Sequence, residues 1–170
     1  MSIRPTVYLA SPLGFAASTN HFMVQLVDVL SARVDVSNPW DDHRFDQDFA
    51  QIAGLNDHDE RVRRLHAIND QLGRGNEERI RAAHALIAVL DGVDVDSGTA
   101  AEIGFAYALG MRLYGIRTDF RLAGDNLGSI VNLQVQYFIE QSGGRIVTTL
   151  AQLDECAAKI SSLPCTAGES

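Results

Sequence analysis

Six consecutive apolar residues, Ala85-Leu86-Ile87-Ala88-Val89-Leu90, are cut off abruptly by Asp91-Gly92. Extended back to Ala82 the run takes in His84, and it remains far too short to span a bilayer. Its continuous rather than alternating apolarity fits the central strand of a parallel sheet, buried on both faces. The rest of the chain is organised around that strand. Thr6 to Ala10 reads as a first strand stopped by Ser11-Pro12-Leu13-Gly14, and Val34-Asp35-Val36 as a second closed by Asn38-Pro39. Arg112 to Arg117 and Arg145 to Thr148 complete the set of five.

Helical spacing fills the intervals. Phe22, Leu26, Val29 and Leu30 mark a helix from about Ala16 to Ala32, and Leu150 to Ser161 reads as the closing helix. Val62, Leu65, Ile68, Leu72 and Ile80 mark a long one from Asp59 to Ala83, with a break expected at Gly73 or Gly75. A small-residue helix is expected from about Thr99 to Leu109, and the polar stretch Trp40 to Asp57 as loop with some helix. Strands alternating with helices indicate an open, mainly parallel α/β sheet. Ligands in such sheets bind beyond the carboxyl ends of the strands, here the loops after Ala10, Val36 and Leu90.

The 170 residues suit one domain, expected over residues 1–161 with a frayed tail over 162–170. At 46% hydrophobic and 21% charged, the chain can bury a sizeable core without metals or disulfides. A net charge of −8 argues against nucleic acid as a partner, since phosphate backbones are held by clustered Lys and Arg. No segment reads as a membrane anchor, and Pro5 and Pro12 interrupt any likeness of the amino terminus to a secretory signal. Cys156 and Cys165 have no framework or metal spacing, so a cytoplasmic location is expected.

The segment from Asp91 to Gly104, DGVDVDSGTAAEIG, carries the densest chemistry. Three aspartates and a glutamate at the end of a strand repel one another unless a ligand or partner uses them. An EF-hand is excluded because Gly98 and Phe105 stand where oxygen ligands are needed. Two readings of Glu102 stand side by side. In one, Thr99-Ala100-Ala101-Glu102 is a capping box, in which Glu102 satisfies orphan amides at about 1 kcal/mol. In the other, Glu102 is a nucleophile, its ionised form favoured by the positive end of the helix dipole. Gly98, Ala100, Ala101 and Gly104 then leave room for a substrate.

Other residues have plain structural readings. Asp70 alone would be a solvated helical residue, Tyr8 a core residue, and Asp96 a helix cap. The acidic run Asp41 to Asp48 matches no metal-ligand spacing and reads as solvated surface. Gly73-Arg74-Gly75-Asn76-Glu77-Glu78 lacks the final glycine of a dinucleotide fingerprint, and there is no P-loop, HExxH pair or nucleophile-elbow serine.

Taken together, several segments resemble the nucleoside 2-deoxyribosyltransferase family. They are Val7-Tyr8-Leu9-Ala10-Ser11-Pro12, Asn69-Asp70, Ala88-Val89-Leu90-Asp91-Gly92, Asp96 to Gly104, and Val131-Asn132-Leu133. The resemblance spans about residues 5 to 150 and is most specific at Asp96-Ser97-Gly98-Thr99-Ala100-Ala101-Glu102-Ile103-Gly104. It implies a flavodoxin-like three-layer α/β sandwich with a mainly parallel five-stranded sheet.

The resemblance also implies an activity, transfer of 2-deoxyribose between a 2′-deoxynucleoside and a free nucleobase with no metal or organic cofactor. Glu102 would attack C1′, Tyr8 would orient and tune that carboxylate, and Asp70 would act as acid and base toward the nucleobase. Asp96 would hold the sugar 5′-hydroxyl, with Ser11 and Gly98 also lining the substrate site. Asn132 would complete a neighbouring subunit's site, which implies a homo-oligomer. Two displacements at one carbon would retain configuration. The rivals are hydrolysis of N-glycosides, including nucleoside 5′-monophosphates, and a non-catalytic nucleoside-binding module. A carboxylate at position 96 would repel a phosphate, which favours nucleosides over nucleotides.

Overall fold

A computed structural model describes residues 4–162. Five strands, β1 (Thr6–Ala10), β2 (Asp35–Ser37), β3 (Ala85–Val89), β4 (Arg112–Ile116) and β5 (Ile146–Val147), form one sheet in the order β2-β1-β3-β4-β5. Every pairing is parallel, so the sheet is wholly rather than mainly parallel. The strand order is that of the flavodoxin-like doubly wound fold. Among the described residues six α-helices cover it: α1 (Asn20–Ser31), α2 (Asp46–Ala53), α3 (His58–Ala82), α4 (Ser97–Ala108), α5 (Leu133–Gln141) and α6 (Leu150–Ser161).

Alternation along each strand divides the core in two. Val7 and Leu9 of β1, with Ala85, Ile87 and Val89 of β3, join Leu26, Leu30, Leu153 and Ile160 of α1 and α6. Tyr8, Ala10, Leu86 and Ala88 face the other way, into a cluster with Ile80 of α3, Ile103 of α4 and Ile139 of α5. Every residue of β3 is buried, as its continuous apolar run requires. Each fully buried Leu or Ile contributes roughly 1.5–3 kcal/mol, so two such layers bind the helices firmly to the sheet.

Several boundaries differ from expectation. The second strand starts at Asp35, since Val34 is spent closing α1 by donating its N–H to Leu30 O at 3.0 Å. The first helix starts at Asn20 behind two 3-10 turns. α3 runs unbroken through Gly73 and Gly75. Gly75 is buried where the Arg44 guanidinium crosses the helix, and a side chain there would meet Nη2 at 3.1 Å. α5 has no counterpart among the expected elements, although Val135, Phe138 and Ile139 repeat at helical spacing behind the Asn132 cap. Of the tail expected over 162–170, Ser162 caps α6, and residues 163–170, Cys165 among them, lie outside the described residues.

Candidate active site

Tyr8 projects from the middle of β1 into the layer covered by α3, α4 and α5. There its hydroxyl donates to Glu102 Oε1 at 2.6 Å, joining residues 94 positions apart. This contact removes the capping-box reading. α4 begins at Ser97 and is capped by Asp96, whose Oδ2 accepts from Thr99 N at 3.0 Å and Thr99 Oγ1 at 3.3 Å. Thr99 is therefore inside the helix, and Glu102 lies a turn further on, directed at β1 instead of back at the helix start.

Electrostatics at this pair pull in opposite directions. Burial raises the Glu102 carboxyl above its ordinary range, the Tyr8 hydrogen bond lowers it, and the nearby charge of Asp96 raises it again. Burial, followed by the hydrogen bond and charge of Glu102, holds the Tyr8 phenol far above its usual range, and the charge of Arg79 acts against that rise. Tyr8 is thus a neutral donor at physiological pH. A carboxylate in these surroundings keeps Oε1 anchored, while Oε2 has no hydrogen-bond partner among the described residues.

The acidic loop preceding α4 is satisfied within the chain, without need of a ligand. Asp91 accepts from Thr118 N at 2.5 Å, Thr118 Oγ1 at 2.7 Å and Asp119 N at 2.8 Å. Asp94 accepts from Val95 N at 2.8 Å. Arg117, buried, donates to the carbonyls of Leu90, Gly92 and Arg121. The loops leaving β3 and β4 are braced together by these bonds, which sets the start of α4 and hence Asp96. Gly98 lies beside that cap, where a Cβ would stand 3.2 Å from Asp96 Oδ2.

At the exits of β1 and β2 a second brace forms. Trp40 Nε1 donates to Ser11 O at 2.7 Å, and its ring lies directly on Gly14, where a Cβ would overlap it. The exposed Phe15 ring meets it edge-to-face at 4.6 Å. Ser11 Oγ accepts from Leu13 N at 3.1 Å and shapes the same turn. Asp42, expected on solvated surface, has a side chain only 3% exposed, gripped by Arg44 Nη2 at 2.7 Å and Arg79 Nη2 at 2.6 Å. Those hydrogen bonds, Arg44's foremost, hold its carboxyl well below the usual carboxylate range.

Asp70 does not join the Tyr8–Glu102 pair. Its side chain is 68% exposed and faces His66 Nδ1 at 3.6 Å. Arg79 lies nine residues on, about two and a half turns at 3.6 residues per turn, so the two occupy opposite faces of α3. Asp70 lines an open concavity of about 620 Å³ on the outer face with His58, Val62 and His66, and neither Tyr8 nor Glu102 borders it. Asn132 caps α5, its Oδ1 accepting from Gln134 N at 3.0 Å and Val135 N at 3.4 Å. Its amide nitrogen is left to donate elsewhere. Among the described residues no group of three or more His, Cys, Asp or Glu could hold a metal ion, and no helix is long and apolar enough to cross a membrane.

A family model described as nucleoside 2-deoxyribosyltransferase matches residues 7–134. No curated protein matches significantly. Among solved structures, a conserved protein from Enterococcus faecalis V583 is similar at 24% identity and TM-score 0.63, covering 92% of this chain and 98% of that one. A 2-desoxiribosyltransferase from Leishmania mexicana is similar at 23% identity and TM-score 0.59, over 89% of this chain and 97% of that one. A CMP N-glycosidase from Clostridium botulinum is similar at 16% identity and TM-score 0.51, over 89% and 96%. At these identities the likeness is one of fold.

Proposed function

This chain belongs to the nucleoside 2-deoxyribosyltransferase family, and from that premise we propose that it moves 2-deoxyribose from a 2′-deoxynucleoside to a free nucleobase in the cytoplasm. The observation that carries this reading is the 2.6 Å bond from Tyr8 to Glu102 in a buried setting beyond the middle of β1. Cleavage of an N-glycosidic bond puts positive charge on the sugar and negative charge on the leaving base. Glu102 Oε2 attacks C1′ while Tyr8 holds Oε1, and the bonding pair of the C1′–N bond leaves with the base. A second base attacks the deoxyribosyl ester from the vacated side, returning the carboxylate and retaining configuration.

Asp96, with Gly98 beside it, has an oxygen free at the amino end of α4 and is the group assigned to the 5′-hydroxyl, and Ser11, in the turn after β1, is assigned to the same substrate site. A carboxylate here favours a neutral hydroxyl over a phosphate, which weighs for nucleosides against 5′-monophosphates. The proton-donor role expected for Asp70 draws no support from its outward placement, and the reading does not depend on it. Asn132 is assigned to a neighbouring subunit's site. Phe120 and Leu127, at 95% and 97% exposure just ahead of it, supply apolar surface suited to self-association.

The test is base exchange followed by chromatography, with a panel of 2′-deoxynucleosides and a different free base. A new deoxynucleoside that disappears with Glu102→Ala supports the proposal. Free base without a new nucleoside means hydrolysis, and no reaction by the wild type overturns the proposal in favour of phosphorylated substrates or a binding module.

A further inference from the structure

Arg79 is a cation of α3 that turns inward. It is only 27% exposed, and its neighbour Ile80 is packed in the same buried cluster as Tyr8 and Ile103. Its Nη2 is anchored on the buried Asp42 carboxylate at 2.6 Å, and Nη1 donates to Asn76 Oδ1 at 3.4 Å. A guanidinium has five N–H donors, so these two bonds leave others available. Asp42 is held in turn by Arg44, which rests on Gly75, so the anchor is built into the contact between the β2 exit and α3. A merely solvated Arg would not need a buried carboxylate to aim it.

The two flanks of the Tyr8–Glu102 pair thus carry opposite charge. On the α4 side stands Asp96, the cap of the helix that carries Glu102; on the α3 side stands Arg79, next to Ile80 of the cluster that holds Tyr8, and each adds a minor charge influence at the pair. A nucleoside has a matching polarity once its bond begins to break. The sugar end offers hydroxyl donors to a carboxylate, and the base end gathers the electron pair of the breaking C1′–N bond.

We infer that Arg79, aimed by Asp42, is a further catalytic residue of the site, receiving the nucleobase and stabilising the negative charge it acquires as it departs. This rests on the deoxyribosyl-transfer reading. No proton need pass from Arg79: the guanidinium stays charged throughout, the base leaves as an anion held by its N–H donors, and water protonates it afterwards. In the return step the same donors hold the incoming base in its nucleophilic anionic form.

The experiment uses a graded series of leaving bases, the 2′-deoxynucleosides of 5-fluorouracil, uracil and thymine, with wild type, Arg79→Gln, Arg79→Lys and Asp42→Asn. Loss of a charged hydrogen bond to the departing base should slow Arg79→Gln by roughly 10- to 100-fold on the least acidic base, thymine. The loss should shrink toward the most acidic, 5-fluorouracil, which needs least help. Arg79→Lys should fall between, and Asp42→Asn should show the same gradient with a smaller loss. An equal loss across the three bases would make Arg79 structural and overturn the inference, as would no loss at all.

A binding measurement separates this inference from the functional reading. Calorimetric titration of free 5-fluorouracil into wild type should show affinity rising as pH ionises the base, and Arg79→Gln should lose that rise. Affinity indifferent to the charge of the base would overturn the role of Arg79 even if transfer is found. A charge preference abolished by Arg79→Gln would support its hold on the anionic base even if the transfer reading fails.

Discussion

The Tyr8 hydroxyl reaches Glu102 Oε1 across 2.6 Å from the neighbouring layer, so a strand residue and a helix residue share one proton-bearing contact inside a buried setting. Replacing Tyr8 by Phe removes the one interaction that lowers the Glu102 pKa and leaves the burial that raises it. The acid limb of the kcat/KM–pH profile should then move to higher pH, because more of the carboxyl is protonated at a given pH. Activity at neutral pH should drop by roughly 10- to 100-fold, the worth of a hydrogen bond to a charged group. An unmoved acid limb would mean that Tyr8 does not act on the nucleophile.

Stability should carry the same signature with the opposite sign. Glu102 titrates higher in the folded state than in the unfolded chain, so its contribution to stability is fully present below the unfolded value, about 4.3. That contribution is lost as pH rises through the folded value. Glu102→Gln keeps an acceptor for Tyr8 and removes the buried charge. It should melt higher than wild type at pH 7, with the difference vanishing toward pH 4. Urea denaturation at the two pH values, on inactive but folded protein, checks this.

Gly14→Ala tests the brace at the strand exits. The added methyl group has no space beneath the Trp40 ring, so the indole must lift and lose its bond to Ser11 O. Trp40 is the only tryptophan of the chain, and its emission should shift to longer wavelength. Overpacking of this kind costs about 1–3 kcal/mol. Unchanged emission would show that the loop rearranges around the new methyl group without moving Trp40.

Asn132 has a local role and a proposed remote one, and complementation separates them. Asn132→Ala should cost about 1 kcal/mol through loss of the α5 cap. If Asn132 also completes a neighbour's site, mixing inactive Asn132→Ala with inactive Glu102→Ala should restore activity, since mixed oligomers contain some sites with both residues intact. Asn132→Ala with full activity, or mixing without recovery, would confine Asn132 to its own helix.

Much of the architecture is legible in short stretches of sequence. The apolar run of β3, the turn residues that stop β1 and β2, and the spacing of Leu26 and Leu30 are local signals, and each falls within a few residues of its element. Asp96 to Gly104 is legible as a candidate site because small residues around one glutamate are unusual behind a central strand. The α5 helix escapes such a reading because its polar opening, Asn132-Leu133-Gln134, hides a three-residue apolar repeat.

What the sequence determined by itself, then, was the alternation of strand and helix, the parallel sheet that follows from it, and the segment in which the candidate site residues are concentrated. Periodicity and turn chemistry act over a few residues, so they can be read without knowing what lies opposite. The tertiary structure alone decided which face of each element meets the site. It directed Glu102 to Tyr8 and away from its own helix start, turned Asp70 outward while bringing Arg79 in, and buried Asp42 between two arginines 2 and 37 residues away. The phase of a helix against a sheet is set by packing between distant segments. In α3 that packing buried Ile80 against the sheet layer and Gly75 under the Arg44 guanidinium, and left Asp70, on the far side, to solvent.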